Sequence, residues 1–329
     1  MIQKFALAGS AALLAAAAAA PGAGQTLAGY VSPIGAQPGQ QYVAKGTEAA
    51  ATELGWTSRV LDANLSADRQ VSHLDTLLTM GSKAIGTWSL DPNAVAGVFA
   101  RAGQQGVPVV GLNSPGEGVT STFYWEINLC RDNGPFARQA AFIARHKPGA
   151  KVIVMGGPPV EAIIKNMDCA ARAAADAGLT VIDRIDNPKD TAANAATLAA
   201  GELIRFPDVV AFIAYNDSTA LGIASAAIAA GKAIHGASGT GGLMAFGRNG
   251  DLDAIEAVKE GPPDRHMGSR SLCLTDFALI KAMDAAMTAP GTMPKDLIVR
   301  SMFISCENVG DWKDGLERGV TYATIPLTE

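Results

Sequence analysis

Apolar residues along the chain come in compact blocks. The runs "VPVVGL" (107–112), "KVIVMGG" (151–157) and "VVAFIAY" (209–215) are rich in Val and Ile and show no two-residue alternation. They read as strands buried on both faces, hence as parallel strands covered by helices. A second pattern recurs around them: a helical segment ends in x-Gly and a strand-like run follows. It appears as "ATELGWTSRVL", "RAGQQGVPVVGL", "AADAGLTVIDRI" and "AIAAGKAIHGA". Glycine ends each helix because it adopts the left-handed conformation at low cost. Strands are expected at Leu27–Ser32, Ser58–Asp62, Ala84–Trp88, Pro108–Leu112, Lys151–Met155, Thr180–Asp183, Val209–Ala214 and Ala233–Ala237, with helices between them. The fold class is therefore α/β, doubly wound, in two successive halves of about four strands each. Two lobes fit this better than one long sheet. The aromatic segment "STFYWEINLCRDNGPF" joins the halves. A later helix, "SLCLTDFALIKAMDAAM", and a strand, "DLIVRSMFIS", complete the lobes if the chain crosses between them again.

The chain has 329 residues, 48% of them hydrophobic and 17% charged, which supplies a large core and argues against long disordered tails. The formal net charge of -5 is spread without long runs, so no nucleic-acid partner is expected. The N-terminus carries Lys4, an apolar stretch from Phe5 to Ala20, and small residues up to Gly24. This is the layout of a secretory signal peptide, and the apolar run is short for a membrane span. An exported product places Cys130, Cys169, Cys273 and Cys306 in an oxidising compartment. Nearest-in-order pairing gives Cys130–Cys169 and Cys273–Cys306; four buried thiols are the alternative.

Catalytic chemistry is hard to find. His73, His146, His235 and His266 lack metal-ligand spacing, and no C-x-x-C motif is present, so no metal is expected. "HGASGT" misses the nucleophile-elbow pattern at Thr240, which leaves Ser238 a weak nucleophile. "VSPIGAQPGQQ" lacks both the dinucleotide fingerprint and a P-loop lysine, so no cofactor is expected. The polar, glycine-rich loops at the strand ends ("SPIGAQ", "WSLD", "NSPG", "GGPP", "NDS", "SGTGG") lie where a cleft should form.

The stretches "KGTEAAATELGW", "IGTWSLDPNAVAGVFARAGQQGVPVVGLNS" and "FPDVVAFIAYNDSTALGIASAAIAAGK" carry a resemblance covering nearly all of the chain after the signal. It resembles the periplasmic sugar-binding proteins of ABC transporters, of the type-I fold shared by ribose- and galactose-binding proteins. The resemblance implies two lobes joined by three crossovers, a solute held between them, no catalysis, and closure read by a membrane permease. The expected division is a signal peptide (1–24), an N-terminal lobe (25–128 with 272–300) and a C-terminal lobe (129–271 with 301–329). The product is expected in the periplasm, as a monomer. By the same resemblance Asn216 bonds a sugar hydroxyl. Asn113 and Ser114 stand where an aspartate and an arginine often follow the fourth strand. Asn166 stands for an arginine, and Ser238 for a hydroxyl-binding aspartate. Arg270 falls near a polar cleft position, Gln37 and Gln40 occupy a loop that often carries stacking aromatics, and Trp88 supplies a ring. Asp217 is expected to cap the helix that follows Asn216. Charged positions of the family are neutral here, so a sugar is favoured while a sugar acid, suited to Arg270, or a polyol stays open. A sensory receptor of the same fold feeding a chemoreceptor or sensor kinase is the first alternative. A secreted α/β hydrolase is the second. A repressor-type effector domain is disfavoured by the signal peptide.

Overall fold

A computed structural model describes residues 25–235, 242–259, 268–269, 272–289, 291, 293–299, 303–305 and 307–311. Its first half runs β1 (Leu27–Ser32), α1 (Pro38–Glu53), β2 (Thr57–Asp62), α2 (Ala67–Thr79), β3 (Ala84–Thr87), α3 (Pro92–Gln104), β4 (Val109–Leu112) and β5 (Ser121–Trp125). After a 3-10 turn at Glu126–Asn128 come α4 (Pro135–His146), β6 (Lys151–Gly156), α5 (Glu161–Asp176), β7 (Thr180–Asp186), α6 (Ala192–Arg205), β8 (Ala211–Ala214), α7 (Asp217–Ala229), β9 (Met244–Phe246) and α8 (Leu252–Lys259). The last elements are β10 (Gly268–Ser269), α9 (Leu272–Thr288), β11 (Asp296–Val299) and β12 (Phe303–Ile304).

The glycines that close the helices behave as the sequence suggests. Gly106 and Gly178 have φ of 70° and 77°, a region closed to most side chains. Helix starts are equally local in origin. Asp91 accepts from the backbone N–H of Asn93 at 2.8 Å with Pro92 in the first turn, and Thr191 accepts from Asn194 N–H at 3.2 Å.

Six strands form one sheet in the order β11-β5-β4-β3-β1-β2, and four form another in the order β7-β6-β8-β9. Every pairing within these two sheets is parallel. Both faces of each sheet are covered, which is why the strands lack alternation. In the first sheet Tyr30, Ala84 and Val110 pack with Val43 of α1 and Leu279 of α9, while Val31, Ile85 and Val109 pack with Leu74 of α2 and Phe99 of α3. In the second, Val152 and Ile213 face Phe142 and Met167, whereas Ile153 and Phe212 face Leu203 and Ile223.

Three expectations need correction. The aromatic segment is not only a connection: Ser121–Trp125 is β5, paired with β4 on one side and β11 on the other. The "DLIVRSMFIS" run is two strands in different sheets, since β11 joins β5 while β12 pairs antiparallel with β10. Of the strand expected at Ala233–Ala237, the described residues show one bridge, Ile234 to Leu243, and the fourth strand of that sheet is β9. Residues 236–241 lie outside the described set, as do 1–24. The Cys130–Cys169 disulfide is formed, with Cα atoms 5.6 Å apart, and ties the segment after the first crossing to α5. Cys306 and the side chain of Cys273 lie outside the described residues.

Candidate functional site

Each sheet reverses its strand order once, and loops at the carboxyl ends of the flanking strands diverge there. In the six-stranded sheet the reversal lies between β1 and β3; in the four-stranded sheet it lies between β6 and β8. The loops after these four strands meet each other. Gln37 and Gln40 (after β1), Trp88 (after β3), Val160 (after β6) and Tyr215 (after β8) line one space of about 10 Å³. That is scarcely room for one water. Trp88 of one lobe and Val160 and Ile163 of the other belong to a single apolar cluster, so the lobes are closed on each other. The other side of the first turns of α5 borders a cavity of about 210 Å³, lined by Asn113, Ser114, Tyr124, Asn128, Lys165 and Asn166.

The expected site residues divide between these two spaces. Trp88, Gln37 and Gln40 line the first; Asn113, Ser114 and Asn166 line the second. Ser238 and Arg270 lie outside the described residues. Gln40 is turned toward its own lobe, where its Oε1 accepts from Tyr30 Oη at 2.5 Å and Ser32 Oγ at 3.3 Å. Ser114 Oγ accepts from Ser89 N–H at 2.9 Å and donates to Leu112 O at 2.9 Å, so it fixes the loops rather than offering a free hydroxyl. Asn166 Nδ2 donates to Asn128 Oδ1 at 3.0 Å. Asn113 accepts from Trp125 N–H at 2.8 Å, and Trp88 meets the Trp125 ring edge-on at 5.5 Å.

The cap role expected of Asp217 falls to Asn216. Asn216 is the helix cap: its backbone is extended (φ -150°, ψ 178°) and its Oδ1 accepts from Thr219 N–H at 2.9 Å. Its Nδ2 donates to Asp190 Oδ1 at 2.6 Å. Asp217 is already helical and fully buried. Its two oxygens accept the backbone N–H groups of Asn249 (3.0 Å) and Asp251 (2.8 Å), which pins the loop after β9.

Four buried polar atoms along the cleft have no hydrogen-bond partner: Trp88 Nε1, Asn113 Nδ2, Asn128 Nδ2 and Asp190 Oδ2. Three are donors and one is a carboxyl oxygen. Leaving such groups unpaired costs about 1–3 kcal/mol each, so their gathering here points to an outside partner. Backbone strain gathers in the same place. Of the four described non-glycine residues at positive φ, three border the cleft: Leu65, Asn113 and Asp190. Among the described residues no group of three His, Cys, Asp or Glu side chains is placed to hold a metal.

Sequence reasoning missed Asn128, Asp190, Tyr215 and Arg248. Arg248 is 1% exposed; its guanidinium donates to Tyr215 O (2.8 and 3.0 Å) and Ile127 O (3.2 Å) and lies 4.8 Å from the Phe136 ring. It thus joins the first crossing between lobes to the end of β8. Burial pulls it down to about 10, opposed by Tyr215 and Asp217, and it stays a cation at neutral pH. Burial pushes Asp190 up to about 7, and the Asn216 hydrogen bond only partly opposes this. A lone arginine inside "MAFGRNGD" was the available signal for Arg248; Asp190, in the turn-like "NPKDT", had none.

Two doubly wound lobes closed over a polar cleft at facing switch points define a type-I solute-binding fold. The chain belongs to the periplasmic binding protein family: a model described as "Periplasmic binding protein domain" matches residues 28–267. It is 28% identical over 218 residues to the ribose import binding protein RbsB of Bacillus subtilis, covering 66% of this chain and 67% of that protein. Among solved structures it is similar to a Caulobacter myo-inositol binding protein bound to myo-inositol (TM-score 0.76, 18% identity, 91% of this chain and 99% of that one). It is also similar to a Burkholderia graminis ABC transporter solute binding protein in complex with D-arabinose (TM-score 0.77, 15% identity, 90% and 100%). At such identities the solved structures speak for the fold.

Proposed function

We propose that the protein captures a sugar or sugar-like polyhydroxylated solute between its lobes in the periplasm and delivers it to the permease of an ABC importer. The observation that carries this reading is the set of unpaired buried polar atoms, three donors and one carboxyl oxygen, distributed along the cleft. A ring of hydroxyls both donates and accepts, and so matches a mixed set of this kind. Relatives that bind ribose, myo-inositol and D-arabinose support the solute class. In this reading Asn113 and Trp88 contact the solute directly. Asn166 acts through Asn128, and Gln40, Ser114 and Asn216 hold the groups that touch it. The lobes separate to admit the solute, since the closed cleft is far below the ~300–1,000 Å³ of ordinary ligand sites. The solute must favour the closed form for a permease to read its presence.

The test is mass spectrometry of small molecules released on denaturing the purified protein, followed by calorimetry with D-ribose, D-arabinose, D-allose and myo-inositol. Binding of one of these, weakened at least tenfold by Asn113→Ala, supports the reading. A released solute lacking hydroxyls, with no heat from any of the four, refutes it.

A further inference from the structure

Asp190 is placed with unusual care for a loop residue. Its backbone N–H donates to Asn187 O at 3.1 Å. Asn187 is fully buried; its Nδ2 donates to Thr191 O (3.1 Å) and Thr219 Oγ1 (3.0 Å), and its Oδ1 accepts from Asn194 at 2.8 Å. The loop between β7 and α6 is thereby fastened to the first turn of α7. Asp190 itself sits at φ 51°, a strained conformation for a residue with a side chain. It is 7% exposed, its Oδ1 is taken by Asn216, and its Oδ2 has no partner. It lines the space between the two switch points with Gln37, Trp88 and Val160.

We propose that Asp190 is the specificity-determining acceptor of the cleft: its free Oδ2 takes a hydrogen bond from a hydroxyl of a neutral ligand, and without that donor the same buried carboxylate opposes closure of the lobes. The ligand half of this statement rests on the reading of the cleft as a solute site; the closure half does not. The physical basis is desolvation. Closure of the empty cleft strips water from the carboxyl, which pushes it from 3.8 up to about 7. Among the described residues that line this space, none supplies a counter-charge. From the first lobe it faces Gln37, Gln40 and Trp88, and from α5 Val160 and Ile163, none of which ionises. From β8 it faces Tyr215, held neutral because burial, and then Asp190 itself, raise it well above 10. Behind Tyr215 stand Arg248, Asp217 and Asp251, with Arg248 donating to Tyr215 O and Asp217 turned to the loop after β9. Lys189, next in the chain, is exposed.

Two consequences follow. In the open form the carboxyl is hydrated and ionised at neutral pH, so closure without ligand takes up a proton. The ratio of closed to open empty protein rises roughly tenfold per pH unit below about 7 and is flat above it. A ligand hydroxyl donating to Oδ2 stabilises the carboxylate instead, so binding returns that proton. An anionic ligand would bring like charge to a buried carboxylate and is rejected. The ligand class is thus a neutral polyhydroxy compound, and the sugar-acid alternative falls away.

The experiment uses the full mature chain. Small-angle X-ray scattering of ligand-free protein from pH 5 to 9 reads closure, for wild type and for Asp190→Asn, whose side chain keeps the acceptor for Asn216 and carries no charge. Compaction of wild type below about pH 7, absent from Asp190→Asn, is expected. The same pH profile in both proteins, or a flat profile in wild type, overturns the proposal. On wild type alone, calorimetry of D-ribose, D-arabinose, D-allose and myo-inositol in buffers of different ionisation heat should show proton release at pH 5.5, where the empty protein is closed and protonated, and none at pH 8, where it is open and ionised. Asp190→Asn should bind the same neutral ligand at least tenfold more weakly, and D-ribonate and D-arabinonate should not bind wild type. Ligand binding with no proton release at pH 5.5, or aldonates binding as well as the sugars, also overturns it. If none of these compounds binds while the closure profile holds, the closure half stands and the sugar reading is what fails.

Discussion

Asn216→Ala tests the architecture of the cleft most directly. The substitution removes the cap of α7, worth about 1 kcal/mol for an ordinary helix. It also strips Asp190 Oδ1 of its partner, and an orphaned buried acceptor costs about 1–3 kcal/mol. Both groups are buried, so the expected loss is about 2–4 kcal/mol, measured as a shift in urea midpoint at constant slope. The Asn216 hydrogen bond lowers Asp190, so its removal moves that carboxyl further up. Asn216→Asp separates the two contributions. It keeps a capping oxygen but sets a second carboxyl against Asp190. Two carboxyls this close share one proton, so the variant should approach wild type at pH 5.5 and lose stability as the pH rises past about 7. The sign follows from a raised group: its stabilising contribution is present while the proton is bound and is lost as the pH passes upward. A loss under about 0.5 kcal/mol for Asn216→Ala, or a pH-independent Asn216→Asp, would show that the cap and the Asp190 contact do not act together.

Reduction of the Cys130–Cys169 bridge, whose residues are 39 apart in sequence, should cost about 4 kcal/mol on the chain-entropy estimate; an unchanged melting temperature in dithiothreitol would contradict it. Gly222→Ala places a Cβ 2.2 Å from Ala192 O and 2.8 Å from Ala195 Cβ, so it should destabilise by about 1–3 kcal/mol through the α6–α7 contact, and a neutral effect on chemical denaturation would contradict that close approach. Arg248→Met leaves two buried carbonyls without their donor and should cost about 3 kcal/mol in urea, with a midpoint within error of wild type as the refuting result.

The parts of the fold that were legible are those whose cause is local. A glycine at positive φ stands just past the ends of α1, α2, α3, α5 and α7, and strands buried on both faces announce themselves by lacking alternation. β5 was misread because its neighbour β11 lies some 170 residues further along, and pairing across that separation leaves no local mark. Nor does the sequence show that Gly222 meets α6. Only the geometry of two adjacent helices reveals the backbone oxygen of Ala192 against it. The cleft was legible as a set of loops at strand ends. Which loops would face each other depended on the strand order, which places β1 and β3 of one sheet opposite β6 and β8 of the other.

The pair Asn216-Asp217 shows why side-chain roles resist reading even when the residues are well chosen. Both residues are good caps, and the choice turns on a single backbone angle pair: Asn216 is extended, so the helix begins one residue later. Everything downstream inherits that choice. With its oxygen committed to Thr219 N–H, the Asn216 amide can only present its nitrogen to the cleft. That nitrogen engages one oxygen of Asp190 and leaves the other bare. Had Asp217 been the cap, Asn216 would have been free to turn either end toward a ligand. As built, the ligand-facing group is the carboxyl oxygen one step further out, so the cleft presents there an acceptor whose strength depends on a proton.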